Sequence, residues 1–393
     1  MDLFEHQAKR LLADYGIAMP VGETARNADQ AGQIARRLGA STYVVKAQVL
    51  AGDRKKAGGI RFASTPQEVE KAAAQLIGSK LVTSQTGGIA TPVEAVHIEE
   101  MVRVAHNLYL AITIDKRTGH VVMLASKDGG EDIESRVGTG KDLVERLPLT
   151  FTGQKLEGDF DGFAQRIVTD GRLRAGLLAV MRNLASAFVG LDATQAEINP
   201  LAITSDGELV ALDAKMSIDD NALFRRPDLA KLRAASRTPA DPAEMEAQQH
   251  QINYLRLDGN IGLVVNGAGL ALATHDLVVD AGGRPANFMD IRTTATSLDI
   301  AHGFGLILKN PAVKSIYVNA HGGGMQRCDT IAEGIGIAMR RSGRRVPIVI
   351  RMAGNNAAFA TTVLKNNGVD YIGANDMAEG AAAAVAAARK EAA

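Results

Sequence analysis

The chain has 393 residues, 46% of them apolar and 22% charged, with 40 glycines and no tryptophan. That length exceeds what one hydrophobic core usually organises, and that composition excludes a fibre or a disordered tail, so a soluble protein of more than one domain is expected. Lys plus Arg and Asp plus Glu each number 44, so no basic excess recruits nucleic acid or an anionic membrane, and any anion site must be local.

In chain order, Asp2 with Glu5 three positions on reads as a capping box, Leu3, Leu11, Leu12 and Tyr15 as one helical face, and Gly16 as the stop. This opening stretch is charged and too short in apolar residues for a leader or a membrane span, and a cytoplasmic protein is expected. TYVVKAQV, from Thr42 to Val49, reads as a strand, followed by the loop LAGDRKKAGG and a helix from Pro66 to Leu76. Val93 to Glu99 is expected as a strand, and LYLAITID and HVVMLAS flank the turn KRTG as a hairpin. A second hairpin, QAEINPLAIT with ELVALDAKMS, turns at Ser205, Asp206 and Gly207. The polar, alanine-rich residues 238–248 are expected to link a domain over 1–237 to one over 249–393. In the second half GLVVN, ANFMDI, KSIYVNA, PIVIRM and DYIGAN are apolar runs, each followed by a helical segment, which implies a parallel, doubly wound sheet. Ligands of such sheets bind beyond the carboxyl ends of the strands, here the loops Asn266–Gly269, Arg292–Thr296, Asn319–Gly324 and Arg351–Asn356. The single cysteine, Cys328, forms neither an internal disulfide nor a multi-thiolate metal centre, in keeping with a reducing compartment.

Two places invite chemistry. Asn199 and Asp213 are equidistant from the Asp206 turn, so a regular hairpin sets them opposite one another with Cβ atoms about 5 Å apart, and Glu197 with Lys215 form the next pair. Their oxygens suit Mg²⁺ bound to phosphates; a surface hairpin with an ordinary salt bridge is the other reading. Lys46 interrupts the run VVKAQV, and Arg54, Lys55 and Lys56 follow in a loop of small residues. Flexible amides with cations suit a polyphosphate, while a solvated charge run between strand and helix fits the same residues.

VVKAQVLAGDRKKAGGIR, ASKDGGEDIE, AEINPLAIT, ALDAKMSIDDNALFRRPDL and NIGLVVNGAGLALAT stand in this order along the chain. Together they resemble the beta subunit of succinyl-CoA synthetase and its malate–CoA ligase relatives, over essentially the whole sequence. The resemblance implies an ATP-grasp fold followed by a flavodoxin-like CoA-ligase domain, that is, α+β and then α/β. It implies an ATP-dependent, ADP-forming carboxylate–CoA ligase that works through an acyl phosphate and a phosphohistidine borne by a separate alpha subunit, with Mg²⁺, ATP and CoA. Lys46 and Arg54 match positions that hold nucleotide phosphates, Glu99 one at the adenine-side hinge, Asn199 and Asp213 the Mg²⁺ ligands, and Pro20 a position that accompanies preference for ATP. No histidine here matches the phosphohistidine context: His6, His97, His106, His120, His250 and His275 read as structural or surface residues, and only His302 and His321 fall near a predicted site edge.

The sequence departs from the succinate pattern at Arg292, Thr293 and Thr294, where glycines are usual, and at His321 within VNAHGGGM. It also carries Asp53 and Lys55 in place of glycines, Leu50 in place of a histidine and Asn107 in place of a glutamate. Asn266, Arg292, Thr293, Thr294, His321, Gly322 and Gly323 are therefore the expected substrate residues. The expected acid is succinate-like, hydroxylated or sulfonated; a nucleotide-binding regulatory or structural subunit without turnover is the second reading.

Overall fold

The computed structural model describes residues 1–391 apart from 87, 89, 131–143, 236–240, 251 and 324. It separates into two units, Met1–Ala235 and Ser236–Ala393.

The first unit holds helices α1 (Glu5–Ala13), α2 (Ala28–Leu38), α3 (Pro66–Leu76), α4 (Phe160–Ile167), α5 (Gly171–Gly190) and α6 (Pro227–Ala235). Strands β1 (Gly22–Ala25), β2 (Tyr43–Ala47), β3 (Ile60–Ala63) and β6 (Val96–Glu100) form an antiparallel sheet in the order β1-β6-β2-β3. Tyr43, Val45 and Ile98 join Ile34 of α2 and Val69 of α3 in one apolar core. The short strands β4 (Lys80–Leu81) and β5 (Thr91–Pro92) pair separately, so the strand expected from Val93 starts only at Val96. A larger antiparallel sheet runs β10-β9-β8-β7-β11-β12, from β7 (Val104–Ile114), β8 (Val121–Ser126), β9 (Glu145–Thr152), β10 (Lys155–Glu157), β11 (Ala193–Thr204) and β12 (Leu209–Ala211), with β13 (Ala214–Ile218) also on β11. Its core contains Ile112 and Ile198 with Phe163 of α4 and Met181 and Leu184 of α5. Burial of each such side chain is worth roughly 1.5–3 kcal/mol.

Helix α1 corrects the expected capping box. Its cap is Phe4, whose amide donates to Gln7 Oε1 at 3.0 Å, while Asp2 accepts from Ser217 Oγ at 2.5 Å. The buried face is Glu5, Ala8, Lys9 and Leu12, at helical spacing, and it places two charged side chains inside the protein.

In the second unit, α7 (Pro242–Gln249) stands where a linker is expected: Asp241 accepts the amide of Ala243 at 2.8 Å and Pro242 supplies a preset first turn. Then come β14 (Asn253–Arg256), β15 (Ile261–Asn266), α8 (Ala268–Asp280), β16 (Asn287–Ile291), α9 (Ser297–Lys309), β17 (Ser315–Gly322), α10 (Cys328–Arg341), β18 (Ile348–Gly354), α11 (Ala357–Asn366), β19 (Ile372–Gly373) and α12 (Met377–Lys390). The sheet order is β14-β16-β15-β17-β18-β19, parallel except for β14. Ile316 and Val318 enter a core with α9, α10 and α11, and Tyr317 enters the opposite core with α8 and α12. Burial on both faces explains the unbroken apolar runs. The order β16-β15-β17-β18-β19 is the flavodoxin-like winding, with its switch point between β15 and β17. Among the described residues no helix is long and apolar enough to cross a membrane.

Candidate functional site

In the first unit the loop after β2, helix α1 and the β12–β13 junction converge on a charged cluster. Lys46, Arg54, Glu99, Glu5 and Lys9 are each at most 6% exposed, so their charges answer to one another rather than to water. Lys46 projects from β2, and its Nζ donates to Glu5 Oε1 at 2.9 Å and to the Leu212 carbonyl at 2.6 Å, with Glu99 Oε2 also at 2.9 Å. Arg54 lies in the turn opened by Asp53, whose φ of 57° is a left-handed conformation that favours glycine. Its guanidinium forks between Glu5 Oε2 at 2.6 Å and Asp213 Oδ2 at 2.6 Å, and it also donates to the Ala47 carbonyl at 3.0 Å. Glu99, on β6, receives Lys9 Nζ and lies 3.3 Å from His97 Nε2.

Burial pushes the Glu5 carboxyl up, but Arg54, Lys46 and Lys9 outweigh it and hold it well below the usual carboxylate range. Glu99 obeys the same balance, with burial opposed chiefly by Lys46, and falls to about 2. Burial lowers Lys46, yet Glu5 and Glu99 raise it above its ordinary value, so it stays charged.

The second hairpin has the expected register: Glu197 is opposite Lys215, and the Asn199 amide donates to the Asp213 carbonyl at 3.2 Å. Asn199 Oδ1 accepts from the Gly130 amide at 2.8 Å, and Lys215 Nζ donates to Gln85 Oε1 at 3.3 Å. The Asp213 side chain is 32% exposed, unlike Glu5 at 3%, so it is the carboxylate of the cluster that reaches solvent. Among the described residues no three His, Cys, Asp or Glu side chains gather to hold a metal ion. One carboxylate at the β12–β13 junction and one amide oxygen on β11 do fit Mg²⁺ carried by a nucleotide, which keeps waters and phosphate oxygens as its other ligands.

In the second unit the expected substrate residues lie on neighbouring strand ends. Asn266, at the end of β15, bonds both ways to the His321 backbone, accepting its amide at 2.8 Å and donating to its carbonyl at 2.7 Å. It therefore acts as a strut across the switch point, leaving the exposed His321 ring free of that bracing. Gly322 is required by close approach, since a Cβ there would meet the Asn355 carbonyl oxygen at 2.4 Å. The Gly323 amide donates to the Gln326 carbonyl at 3.1 Å. Arg292 leans the other way, with Nη2 donating to Asn253 Oδ1 of β14 at 3.0 Å. Because β14 and β15 lie on opposite sides of β16, Arg292 points away from His321. Arg292 and Thr294 line a separate cavity of about 360 Å³ with His250, Asp290 and Asp299; Thr293 is exposed beside them. His302 meets His250 at a tilt of 31° with ring centres 3.7 Å apart and lies 3.1 Å from Glu246, which gives it a local structural role. The segments expected as loops from Asn319 and Arg351 begin inside strands, because Asn319 is fully buried and donates to Thr274 Oγ1 at 2.7 Å.

A family model of the ATP-grasp domain matches residues 2–203, and one of the CoA-ligase family matches residues 264–385. The chain is 41% identical over 389 residues to the beta subunit of ADP-forming succinate–CoA ligase of Xylella fastidiosa (strain M23), covering 98% of this chain and 99% of that one. It is 42% identical over 396 residues to the subunit of the same name from Alkalilimnicola ehrlichii, covering 100% of both. The chain belongs to the beta-subunit family of ADP-forming succinate–CoA ligases. Its fold also resembles ATP citrate lyase from Methanothrix soehngenii, solved in complex with citrate and coenzyme A, with a TM-score of 0.76 at 17% identity over 98% of this chain and 99% of that one. The expected order of an ATP-grasp domain and then a CoA-ligase domain is thus established, and with it a ligase subunit.

For this ligase subunit the charged cluster carries a stability prediction. Glu99 has its carboxyl lowered from 4.5 to about 2 in the folded state. A carboxylate so depressed contributes stability that is present above its unfolded pKa and lost as pH falls through the folded one. Glu99→Gln, which leaves Lys46 and Lys9 without that partner, is expected to cost about 3 kcal/mol at pH 7. The gap between variant and wild type in thermal unfolding should close as pH falls from about 4.5 toward 2. A gap independent of pH would place the loss in packing instead.

Proposed function

We propose that the chain binds Mg·ATP in its first unit and, with an alpha subunit, joins a carboxylic acid to CoA with release of ADP and phosphate. The observation that carries this reading is the buried Lys46–Arg54 pair, braced by Glu5 and Glu99 beside the partly exposed Asp213. Two preset cations next to an oxygen-bearing hairpin suit a triphosphate and its metal.

In this reading Lys46 and Arg54 hold phosphate oxygens, and Asn199 and Asp213 hold Mg²⁺, which neutralises charge developing on the phosphates. Arg54 and Asp213 exchange their mutual contact for the phosphate and the metal. The terminal phosphoryl group passes to a histidine of the alpha subunit, leaving ADP, and then to the acid's carboxylate oxygen, giving an acyl phosphate. CoA sulfur attacks the acyl carbon, the thioester bond forms, and phosphate leaves. In the second unit Asn266 braces the strand end from which His321, Gly322 and Gly323 meet the acid.

The acid we favour differs from succinate by a hydroxyl or a sulfonate, as in malate or sulfoacetate, because the exposed His321 ring offers a donor at the switch point. A panel of succinate, malate and sulfoacetate tests this in the reconstituted enzyme. His321→Ala should lower kcat/KM for the hydroxylated and sulfonated acids about tenfold more than for succinate, whereas Arg292→Ala, whose side chain points away from that site, should change all three alike. Succinate as best substrate, with every acid weakened equally by His321→Ala, contradicts selection by this side chain.

A further inference from the structure

Helix α1 contributes something that the phosphate-binding residues do not supply for themselves. Lys46 comes from a strand of the smaller sheet, and Arg54 from the loop that follows it. Both are long, flexible side chains, and neither would hold one position in a solvated pocket. Glu5 is 4% exposed, and its two oxygens are divided between these cations: Oε1 lies 2.9 Å from Lys46 Nζ and Oε2 2.6 Å from Arg54 Nη1. Lys9, one helical turn on, lies 3.1 Å from Glu5 Oε1 and also bonds Glu99, so it fastens together the two carboxylates that flank Lys46. Asp213, the third acid, is the one that reaches solvent and faces Arg54. If Asp213 leaves Arg54 for a metal ion, Glu5 is the carboxylate that still holds both phosphate-directed cations.

We infer that Glu5, steadied by Lys9, is a positioning residue for nucleotide phosphate: it fixes the separation and aim of Lys46 and Arg54 and sets the preference of the pocket for phosphorylated over unphosphorylated nucleoside. This rests on the reading of the first unit as a Mg·ATP site. Two effects of Glu5 have opposite signs. Its charge repels a polyanion, whereas its hydrogen bond from Lys46 and its ion pair with Arg54 preset the cations that bind one. Preorganisation among buried groups outweighs the repulsion, because the Glu5 charge is already paired with three cations at contact distance, which it shares with Glu99 and Asp213.

Calorimetric titration of the full chain with Mg·ATP, ADP and adenosine, for wild type, Glu5→Gln and Glu5→Asp, reads this directly, with thermal unfolding to confirm that each variant is folded at the working temperature. Glu5→Gln should weaken ATP and ADP at least tenfold and leave adenosine within twofold, with Glu5→Asp in between. Weakening of adenosine by the same factor would assign Glu5 to general structure, and unchanged or tighter ATP binding would make it a mere counter-charge; either overturns the inference. If Glu5→Gln does not fold, Glu5→Asp and Lys9→Met carry the same comparison. Wild-type chain that binds neither ATP nor ADP would instead overturn the nucleotide reading itself.

Discussion

Asp213→Ala should lower phosphoryl transfer in the assembled enzyme by about a thousandfold or more, with a smaller loss of ATP affinity. The size follows from what the side chain is asked to do. As a ligand of the metal that neutralises the transferring phosphoryl group, its carboxylate acts where charge develops, and such contributions are worth several kcal/mol. As no more than an ion-pair partner of the buried Arg54, 2.6 Å away and itself 32% open to solvent, its loss would fall on stability and leave the transfer step within roughly fivefold, about 1 kcal/mol. Single-turnover transfer of labelled phosphate from ATP to the partner's histidine, followed across a range of Mg²⁺ concentrations, separates the two. The metal reading expects the variant to recover part of its rate at high Mg²⁺, whereas near-normal transfer at moderate Mg²⁺ would return the hairpin to an ordinary ion pair.

The hairpin that carries Asp213 was legible because its register follows from a turn of known centre. Pairs equidistant from Asp206 stand opposite one another, and both Glu197–Lys215 and Asn199–Asp213 do. The parallel strands of the second unit were legible for a similar reason: burial on both faces leaves continuous apolar runs. Their ends were not, because Asn319 and Arg351 continue the ladder as polar residues paired across it, with Arg351 Nη1 donating to Asn319 Oδ1 at 3.3 Å. Strand β14 was missed since NYLR, an edge strand, has no apolar run to announce it. The signal for α7 was present as an Asp–Pro cap and lost beneath the composition of the stretch.

At the site, Lys46 stood out as a cation inside an apolar strand, but Glu5 and Lys9 did not. Charged residues four apart on a helix ordinarily face water, and what buries these two is a tertiary demand from Lys46, Arg54 and Glu99. The available clue was their spacing with Ala8 and Leu12, which puts them on the apolar face of the helix. Arg292 was legible as a residue at a strand end but not in its direction, because its partner belongs to the missed strand β14.

In the proposed division of labour this chain holds and activates the nucleotide, and a second subunit supplies the histidine that carries the phosphoryl group. The most direct measurement is acid- and CoA-dependent formation of thioester and ADP by the purified chain alone, by an alpha subunit alone, and by the two reconstituted, with Mg·ATP binding to the isolated chain measured alongside. The proposed division expects Mg·ATP binding without thioester for this chain alone, none from the alpha subunit alone, and thioester with stoichiometric ADP only from the pair. Thioester synthesis by the isolated chain, or a reconstituted pair that binds Mg·ATP and releases no ADP with any acid, would contradict it.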